Sequence, residues 1–443
     1  MSFFNIITLG CKVNKYESDA IAQSLLEAGW VSALKGEKTD LFIINTCTVT
    51  QKASMQSRQA VRQAIRSNPK ACIIVTGCYA QIEPDEIKKI KGVHYIIGHT
   101  DKHKIPEIII SRKEKDSPIP EFHPLTIRHD ITLEHEFRQA PVIAAFGNRT
   151  RPVLKIQDGC DNFCTYCIVP YARGRSRSMP LKIVLENISR LSKSGYHEVV
   201  LSGIHLGCYG MDLLPETSFT ELLKCIHETK TIKRVRLSSI EPNELNDDII
   251  KTVADSNIFC HHFHTPLQSG DDLILKRMHR HYSRSFFRDM VIRIHEMIPD
   301  AAIGVDVLIG FPGETEKAFE NTYSLIKKLP VTYLHVFPFS ARKGTPANNY
   351  PNQISPDTIK IRCRKMRELG TNKKMEFYKK LIGGKVEVLI EGARSKTTGH
   401  LKGMTSNYVP VFVRGKDNMK NCIVQARIDK LCGKSAVFGK IHN

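Results

Sequence analysis

The sequence predicts an α/β protein in three parts: an N-terminal open parallel α/β sheet, a central partial (β/α)6 barrel and a small C-terminal β-barrel. Short apolar runs alternate with helical patterns over residues 1–100, and the same rhythm resumes at Val153. Such alternation is typical of parallel sheets. Residues 383–443 change to β-rich alternation with glycine turns, which indicates a small barrel. We predict domains at 1–112, 146–376 and 377–443, with a linker over 113–145.

Each element follows from these patterns. Strands are predicted at Phe3–Leu9, Leu41–Asn45, Ile73–Thr76 and Tyr95–Ile97, and helices at Tyr16–Ala28, Lys52–Ser67 and Pro84–Ile90. Residues 111–146 have no sustained period, so we expect a linker with one strand or turn. The barrel strands are predicted at 153–157, 198–202, 234–238, 260–264, 302–308 and 333–337. A long basic helix, Asp357–Lys380, precedes the last predicted strands, Lys385–Ile390, Tyr408–Val413 and Ala436–Gly439.

The composition is that of a globular protein: 41% of the residues are hydrophobic and 25% are charged. No apolar run approaches the roughly 18 to 20 residues that span a bilayer. The N-terminus lacks the features of a signal peptide, so we expect a cytoplasmic location and no membrane partner. Thirteen cysteines in that compartment favour metal or redox chemistry, because disulfides are rare there.

The positive charge of the chain is concentrated at one end. The whole chain has 65 Lys and Arg against 45 Asp and Glu, whereas residues 360–443 alone have 20 against 6. An evenly positive surface would serve solubility. A polarised excess instead favours a polyanionic partner, with nucleic acid as the first candidate.

Three cysteines, Cys160, Cys164 and Cys167, form a C-x3-C-x2-C run. Structural zinc sites and four-iron clusters normally take four protein ligands. A set of three leaves one iron of a cubane without a protein ligand, and a substrate or cofactor can bind there. The alternatives are a zinc knuckle with a distant fourth ligand and a buried cysteine cluster.

Three other cysteines, Cys11, Cys47 and Cys78, form a second set that we call the N-terminal triad. Each follows the carboxyl end of a predicted parallel strand. Those ends share one edge of an open sheet, where ligands bind, so the three sulfurs are expected to converge. Cys72 begins its strand, at the opposite edge, and is assigned to packing.

Two further sets of metal-binding side chains are interpreted as packing. Six cysteines show no metal spacing: Cys208, Cys225, Cys260, Cys363, Cys422 and Cys432. His262 and His264 share one face of a predicted strand beside His261, but no fourth ligand is evident. We interpret these histidines as pocket lining or packing.

Six motifs resemble those of the methylthiotransferase family of radical S-adenosylmethionine (SAM) enzymes. They are TLGCKVN at 8–14, INTCTVT at 44–50, TGCYAQ at 76–81, CDNFCTYCIVPYARGRSRS at 160–178, HTPLQSG at 264–270 and DVLIGFPGET at 306–315. The resemblance covers nearly the whole chain, including a basic C-terminal barrel similar to the family's TRAM domain.

The resemblance implies two [4Fe-4S] clusters, an auxiliary one on the N-terminal triad and a second one that binds SAM. The second is held by Cys160, Cys164 and Cys167, and we therefore call this run the radical loop. In the family that this chain resembles, one SAM methylates a sulfur on the auxiliary cluster. A second SAM is cleaved to a radical that removes hydrogen from an unactivated C–H bond, and a methylthio group then replaces that hydrogen. No catalytic side chain beyond the cluster ligands is implied.

The predicted SAM-binding residues rest on the resemblance and on strand ends. Tyr166 stands where the family's backbone meets the adenine. Ser202 and Gly203 end the second barrel strand, where many radical SAM enzymes present an acidic residue that this chain lacks. Three polar residues are predicted at or just past later strand ends, with solvated or helix-capping roles as the alternative: Glu241, Gln268 and Asp306.

Three branches of the family compete as to substrate. The opening TLGCKVNKYES is most similar to the branch that replaces the C2 hydrogen of N6-threonylcarbamoyladenosine at tRNA position 37. The others modify N6-isopentenyladenosine-37 or a ribosomal-protein aspartate. We expect a tRNA anticodon stem-loop as partner, because bases in loops can be splayed out and stacked on protein side chains. We also expect an electron donor such as flavodoxin or ferredoxin, and a monomeric protein. A non-catalytic iron–sulfur RNA-binding sensor and a zinc-dependent RNA-binding protein are the hypotheses from other classes.

Overall fold

The computed structural model describes residues 2–34, 36–114, 124–138 and 149–442. The chain divides into two compact units: the first is Met1–Ala145, Gln157–Met179 and Ser340–Asn348, and the second is Phe146–Ile156, Pro180–Phe339 and Asn349–Asn443. Residues 115–123 and 139–145 of the predicted linker lie outside the described residues. The domain boundaries drawn along the sequence stay a prediction, because the units are defined by contacts in space. Among the described residues, no helix combines the length and the apolar character needed to cross a membrane.

The first unit is built on a sheet of parallel strands. They are β1 (Phe3–Thr8), β2 (Val31–Ser32), β3 (Leu41–Thr46), β4 (Cys72–Gly77), β5 (Tyr95–Ile97) and β6 (Leu125–Ile127). The strand order is β2-β1-β3-β4-β5-β6. β3 and β4 are buried along their whole length, as expected for central strands covered on both faces. The four predicted strands are confirmed, and β6 is the strand expected in the linker.

Helices follow most strands of this sheet. They are α1 (Lys12–Glu27), α2 (Gln51–Ser67), α3 (Cys78–Ile82), α4 (Pro84–Lys88) and α5 (Ile105–Glu114). The three predicted helices are confirmed as α1, α2 and α4. α3 has one turn and α5 begins with an Ile-Pro pair, so neither offered a clear helical period. Ile43 and Ile44 of β3 face two different apolar clusters, which places a core on each side of the sheet.

The radical loop belongs to the first unit, together with β8 (Gln157–Asp158), α6 (Val169–Arg173) and β9 (Arg177–Ser178). The prediction of one strand over 153–157 is wrong at its end. The barrel strand β7 covers only Val153–Lys155, and β8 pairs instead with β9 in an antiparallel ribbon. The Gln157 side chain holds this bend by donating to the carbonyls of Asp158 and Gly159, at 3.0 and 2.9 Å.

The second unit contains a partial parallel barrel. Besides β7 its strands are β10 (Glu198–Ser202), β11 (Arg234–Leu237), β12 (His262–Gln268), β13 (Ala302–Ile309) and β14 (Tyr333–Pro338). They form two parallel sheets, β11-β10-β7 and β12-β13-β14, joined by single bridges from Val235 to Phe259 and from Ser239 to His264. A strand therefore lies at each of the six predicted positions, although the fourth, β12, covers His262–Gln268 rather than 260–264.

Helices follow the strands of this unit. They are α7 (Leu181–Lys193), α8 (Phe219–Thr229), α9 (Asp247–Ala254), α10 (Asp272–Arg277), α11 (Arg284–Met297), α12 (Glu316–Lys328) and α13 (Pro356–Lys380). Ser218, Asn246 and Thr315 cap α8, α9 and α12 by accepting hydrogen bonds from backbone amides. α13 is the predicted long basic helix.

The chain ends in a closed five-stranded barrel, as predicted. Its strands are β15 (Lys385–Arg394), β16 (Leu401–Thr405), β17 (Pro410–Val413), β18 (Ile423–Cys432) and β19 (Ala436–Ile441), in the order β15-β16-β17-β19-β18. Side chains such as Val388, Val411 and Ala426 fill its interior. β16 and β18 were not predicted. A glycine interrupts β16, and β18 alternates with exposed charged residues.

Candidate functional site

The structure brings the N-terminal triad to one edge of the first sheet. Cys11 caps α1 after β1, Cys47 directly follows β3, and Cys78 begins α3 after β4. β1, β3 and β4 are neighbouring parallel strands, so their carboxyl ends lie side by side. An added Cβ at Gly10 would lie 2.8 Å from the Cβ and 2.9 Å from the Sγ of Cys47. Only glycine therefore lets the turn before Cys11 lie this close to Cys47.

The electrostatics of the triad suit an anionic metal cluster with positive neighbours. Burial, together with the neighbouring Cys78 and Cys11, raises the pKa of the Cys47 thiol to about 11. Burial also raises the pKa of Cys78, whereas the charges of Arg173 and Lys102 lower it. Metal ligation requires thiolates, and two buried cations favour that charged form. The donor set therefore fits an iron–sulfur cluster.

The radical loop is a compact turn tied to the end of α6. The Cys160 amide donates to the Gly174 carbonyl at 3.0 Å, and the Cys167 amide donates to the Cys164 carbonyl at 2.9 Å. Phe163 has a left-handed φ of 44°, and its ring packs edge-on against Tyr171. Cys164 is buried, whereas Cys160 and Cys167 are half-buried. Three cysteines within eight residues, two of them partly open, fit a cluster that also binds a cofactor.

A buried ion network joins the radical loop to the sheet edge. Arg173, the last residue of α6, is 1% exposed and donates to Asn14 Oδ1 at 2.5 Å, Asp158 Oδ1 at 2.7 Å and Glu17 Oε1 at 3.1 Å. Lys102 Nζ lies 2.6 Å from Glu17 Oε2. Two cations thus face two carboxylates, which leaves the buried network balanced in charge.

Asn14 connects this network to two of the three cysteine turns of the triad. Its Nδ2 donates to the carbonyl of Leu9 at 2.8 Å and to the carbonyl of Thr46 at 2.9 Å. Thr46 directly precedes Cys47. His99 lies beside the network. Burial and the charges of Lys102 and Arg173 lower the pKa of His99 to about 3, so this histidine is neutral at pH 7. The sequence analysis missed this set, because its members are polar residues scattered over 160 positions.

Tyr166 of the radical loop is half-buried in the first unit, and the carbonyl of its neighbour Thr165 accepts a hydrogen bond from the Ala347 amide at 2.8 Å. The other predicted SAM residues belong to the second unit. Ser202 is the buried last residue of β10, and Gly203 follows it. Gln268 ends β12. These assignments stay predictions.

Both carboxylates among the predicted SAM-binding residues contact positively charged or imidazole side chains. Glu241 pairs with Arg280; burial raises the pKa of Glu241, and Arg280 opposes that rise. Asp306 Oδ1 lies 2.8 Å from His264 Nε2 and 3.1 Å from His335 Nδ1. Burial raises the pKa of Asp306, but these hydrogen bonds outweigh it and hold the pKa below the ordinary range. Asp306 lies inside β13 rather than at its end, because pairing with β14 continues to Ile309.

The predicted packing role of the strand histidines agrees with their contacts. His262 Nε2 lies 2.8 Å from the Tyr333 hydroxyl, and His264 Nδ1 lies 3.0 Å from the same hydroxyl. His262 also packs against the Tyr408 ring, with the centroids 4.5 Å apart. Both histidines thus lie in an aromatic, hydrogen-bonded layer on one face of β12.

Comparisons with known proteins cover nearly the whole chain. Residues 4–98 match a family described as "Uncharacterized protein family UPF0004", and residues 154–326 match the radical SAM superfamily. A threonylcarbamoyladenosine tRNA methylthiotransferase, MtaB of Bacillus subtilis, is 39% identical over 96% of this chain and 93% of its own length. A tRNA-2-methylthio-N(6)-dimethylallyladenosine synthase of Clostridium botulinum is 35% identical over 94% of this chain and 92% of its own.

Solved structures share the fold at low sequence identity. The radical S-adenosylmethionine methyltransferase TsrM from Kitasatospora setae, solved with cobalamin and a [4Fe-4S] cluster bound, superposes with a TM-score of 0.57. The match covers 79% of this chain and 77% of that chain at 15% identity.

Proposed function

Because the chain belongs to the methylthiotransferase family of radical SAM enzymes, we propose that it replaces the C2 hydrogen of N6-threonylcarbamoyladenosine at tRNA position 37 with a methylthio group. The observation that carries the proposal is the pairing of two three-cysteine sets in one compact unit, one at a sheet edge and one in a loop. The relatives named for this substrate, from Bacillus subtilis and Aquifex aeolicus, support the choice of branch.

The enzyme uses SAM and two [4Fe-4S] clusters. We assign the auxiliary cluster to the N-terminal triad and the SAM-binding cluster to the radical loop. When bound, these groups supply the sulfur, the methyl group and the one-electron chemistry that an unactivated aromatic C–H bond requires.

The chain's own residues hold these groups and balance their charge. Cys47 and Cys78 are buried and release their protons on binding metal, since thiolates are the ligands. Arg173 and Lys102 lie close enough to lower the pKa of Cys78, so they favour that release. Asn14 fixes the backbone at both turns through the carbonyls of Leu9 and Thr46.

Nucleoside mass spectrometry of tRNA from a deletion strain tests the substrate. We expect loss of the methylthio form of N6-threonylcarbamoyladenosine, with the parent nucleoside retained, and recovery with the wild-type gene. Cys11→Ala should fail to restore it. Cys72→Ala is the matched control and should restore it, because Cys72 begins β4 at the opposite edge of the sheet.

Each other outcome contradicts part of the proposal. Unchanged methylthio-threonylcarbamoyladenosine would exclude this substrate. Loss of the methylthio form of the dimethylallyl nucleoside would instead favour the second candidate, which the Clostridium botulinum relative supports. A non-catalytic sensor would form no 5′-deoxyadenosine when the cluster-loaded protein receives SAM and dithionite.

The proposal includes the expected surroundings of the reaction. An anticodon stem-loop is the partner, and the basic C-terminal barrel is the surface that we assign to it. The proposal also includes an electron donor such as flavodoxin or ferredoxin, a monomeric state and a cytoplasmic location. Size-exclusion chromatography with light scattering tests the oligomeric state.

A further inference from the structure

A cysteine, a histidine and a glutamate converge in the second unit at the carboxyl ends of two barrel strands. His205 and Cys208 follow β10, and Glu244 follows β11. One ligand atom of each lies within 4.8 Å of the other two. His205 is buried, and Cys208 and Glu244 are half-buried. Their i, i+3 spacing and a third member 36 residues later gave no recognisable metal motif in the sequence.

The two distances from the Cys208 sulfur resemble edges of a tetrahedral metal site, whereas the imidazole and the carboxylate contact each other more closely than two zinc ligands would. Cys208 Sγ lies 3.6 Å from His205 Nε2 and 3.4 Å from Glu244 Oε1, and His205 Nε2 is in direct contact with the same carboxylate. Zinc bonds of about 2.3 Å to sulfur and about 2.0 Å to nitrogen or oxygen place tetrahedral ligands about 3.5 Å apart. Both edges that involve sulfur agree with that value.

Two further observations indicate that the cluster is built around Glu244. A Cβ at Gly207 would lie 2.1 Å from Glu244 Oε2 and 2.6 Å from Glu244 Cβ, so only glycine leaves room for this carboxylate. Glu244 Oε2 is buried and has no hydrogen-bond partner among the described residues. A buried carboxylate oxygen without a partner is costly, and a bound cation would satisfy it.

The other two clusters of possible metal ligands are explained without a metal. In the Glu17–His99–Asp158 cluster, Arg173 and Lys102 already pair with the carboxylates. In the His264–Asp306–His335 cluster, both imidazoles hydrogen-bond to Asp306 Oδ1, and neither Asp306 oxygen is among the buried atoms without a partner in the described residues. Only the cluster at His205 combines sulfur, nitrogen and oxygen ligands with an unsatisfied oxygen, within the part of the chain that the structure describes.

We propose that His205, Cys208 and Glu244 bind one Zn²⁺ ion. A mixed set of thiolate, imidazole and carboxylate is typical of zinc. Three protein ligands leave the fourth tetrahedral position to water or to an anionic oxygen. This metal is separate from the two clusters and from the cysteines assigned to them, and the inference does not depend on the proposed function.

Zinc content and zinc spectroscopy of the full-length, cluster-loaded protein test the site. The clusters must be present, because empty cysteine triads would themselves take up zinc. After incubation with equimolar Zn²⁺ and desalting, we expect about one zinc per chain. Zinc K-edge absorption should report one sulfur neighbour at about 2.3 Å and nitrogen or oxygen neighbours at about 2.0 Å.

Cys208→Ser should remove the sulfur neighbour from the spectrum, and Glu244→Gln should weaken zinc binding at least about tenfold in a chelator competition. Cys432→Ser, at the half-buried end of β18, is the matched control and should change neither readout. Circular dichroism confirms that each variant is folded. Less than about 0.1 zinc per chain in the wild type, or equal zinc in wild type and Cys208→Ser with an unchanged sulfur neighbour, would overturn the proposal.

Discussion

At the scale of single residues, Arg173 connects three segments of the first unit through one buried side chain. Its guanidinium donates to Asn14 and Glu17 of α1 and to Asp158 of β8, so one side chain connects the helix after Cys11 with the strand just before the radical loop. The planar guanidinium can serve several acceptors at once, which a lysine cannot do. Breaking a buried ion network by removing one partner leaves uncompensated charge and is strongly destabilising.

Replacing Arg173 should therefore disturb both cysteine sets. We expect Arg173→Met to lower the unfolding free energy by about 3 to 5 kcal/mol, because two buried carboxylates lose a partner, and to reduce the iron and sulfide content after reconstitution. Urea unfolding and metal analysis measure the two effects.

Arg175→Met is the matched control for this prediction. It lies two residues away in the same motif, but its ion pair with Asp161 is exposed to solvent, and such pairs contribute little. Equal stability and equal iron content in both variants would contradict the role assigned to Arg173.

The sequence predicted the cysteines of the site but not their polar support. Cys11, Cys47 and Cys78 were recognisable because each follows a strongly apolar strand, and parallel strands end at one edge. Arg173, Asn14 and Glu17 lie on helices whose periodicity reports only burial. Which buried polar groups face one another depends on how α1 and α6 are rotated about their axes, and that depends on tertiary packing.

At the scale of elements, the turn between β16 and β17 is anchored to the partial barrel within the second unit. Arg236 of β11 is 1% exposed and donates to the carbonyls of Thr405 at 3.0 Å and Ser406 at 2.8 Å. It also pairs with the fully buried Glu198 at 2.8 Å, and its guanidinium lies over the Tyr408 ring. A buried charge thus satisfies backbone carbonyls of the C-terminal barrel and fixes the position of their turn.

This anchor can be removed with one substitution. We expect Arg236→Met to lower the unfolding free energy by about 3 to 5 kcal/mol, because the Glu198 carboxylate and two carbonyls lose their partner. Hydrogen exchange of residues 401–413 should become faster than in the wild type. Arg427→Met, on an exposed position of β18, should change neither quantity, and similar effects in both variants would contradict the anchor.

The prediction of strands failed where pairing with another strand, rather than the local pattern of apolar residues, determined the structure. The apolar run at 153–157 predicted one strand, but Gln157 turns the chain so that β8 pairs with β9. β16 contains Gly403, where an added Cβ would lie 2.3 Å from the Val388 side chain of β15. The neighbouring strand, rather than a local conformational preference, therefore excludes a larger residue there. These are tertiary constraints, and the periodicity of a single segment does not report them.

At the scale of the whole molecule, the charge distribution separates the chain into a nearly balanced body and a basic end. Residues 360–443 carry an excess of 14 positive charges out of 20 for the chain. Many of these side chains are exposed on the C-terminal barrel, including Arg427 and Lys430 of β18. A polyanion that binds there releases counterions, so its affinity must fall as salt rises.

The salt dependence of tRNA binding tests whether this end is the RNA-binding surface. Arg427→Gln and Lys430→Gln should each weaken binding of an anticodon stem-loop, and should reduce the slope of log affinity against log salt by about 1, if each contacts one phosphate. Fluorescence anisotropy between about 50 and 200 mM salt measures that slope. Lys70→Gln, exposed just before β4, removes the same charge from the N-terminal sheet and should leave the slope unchanged. An equal loss of slope in Lys70→Gln would show that total charge, rather than the barrel surface, controls the affinity.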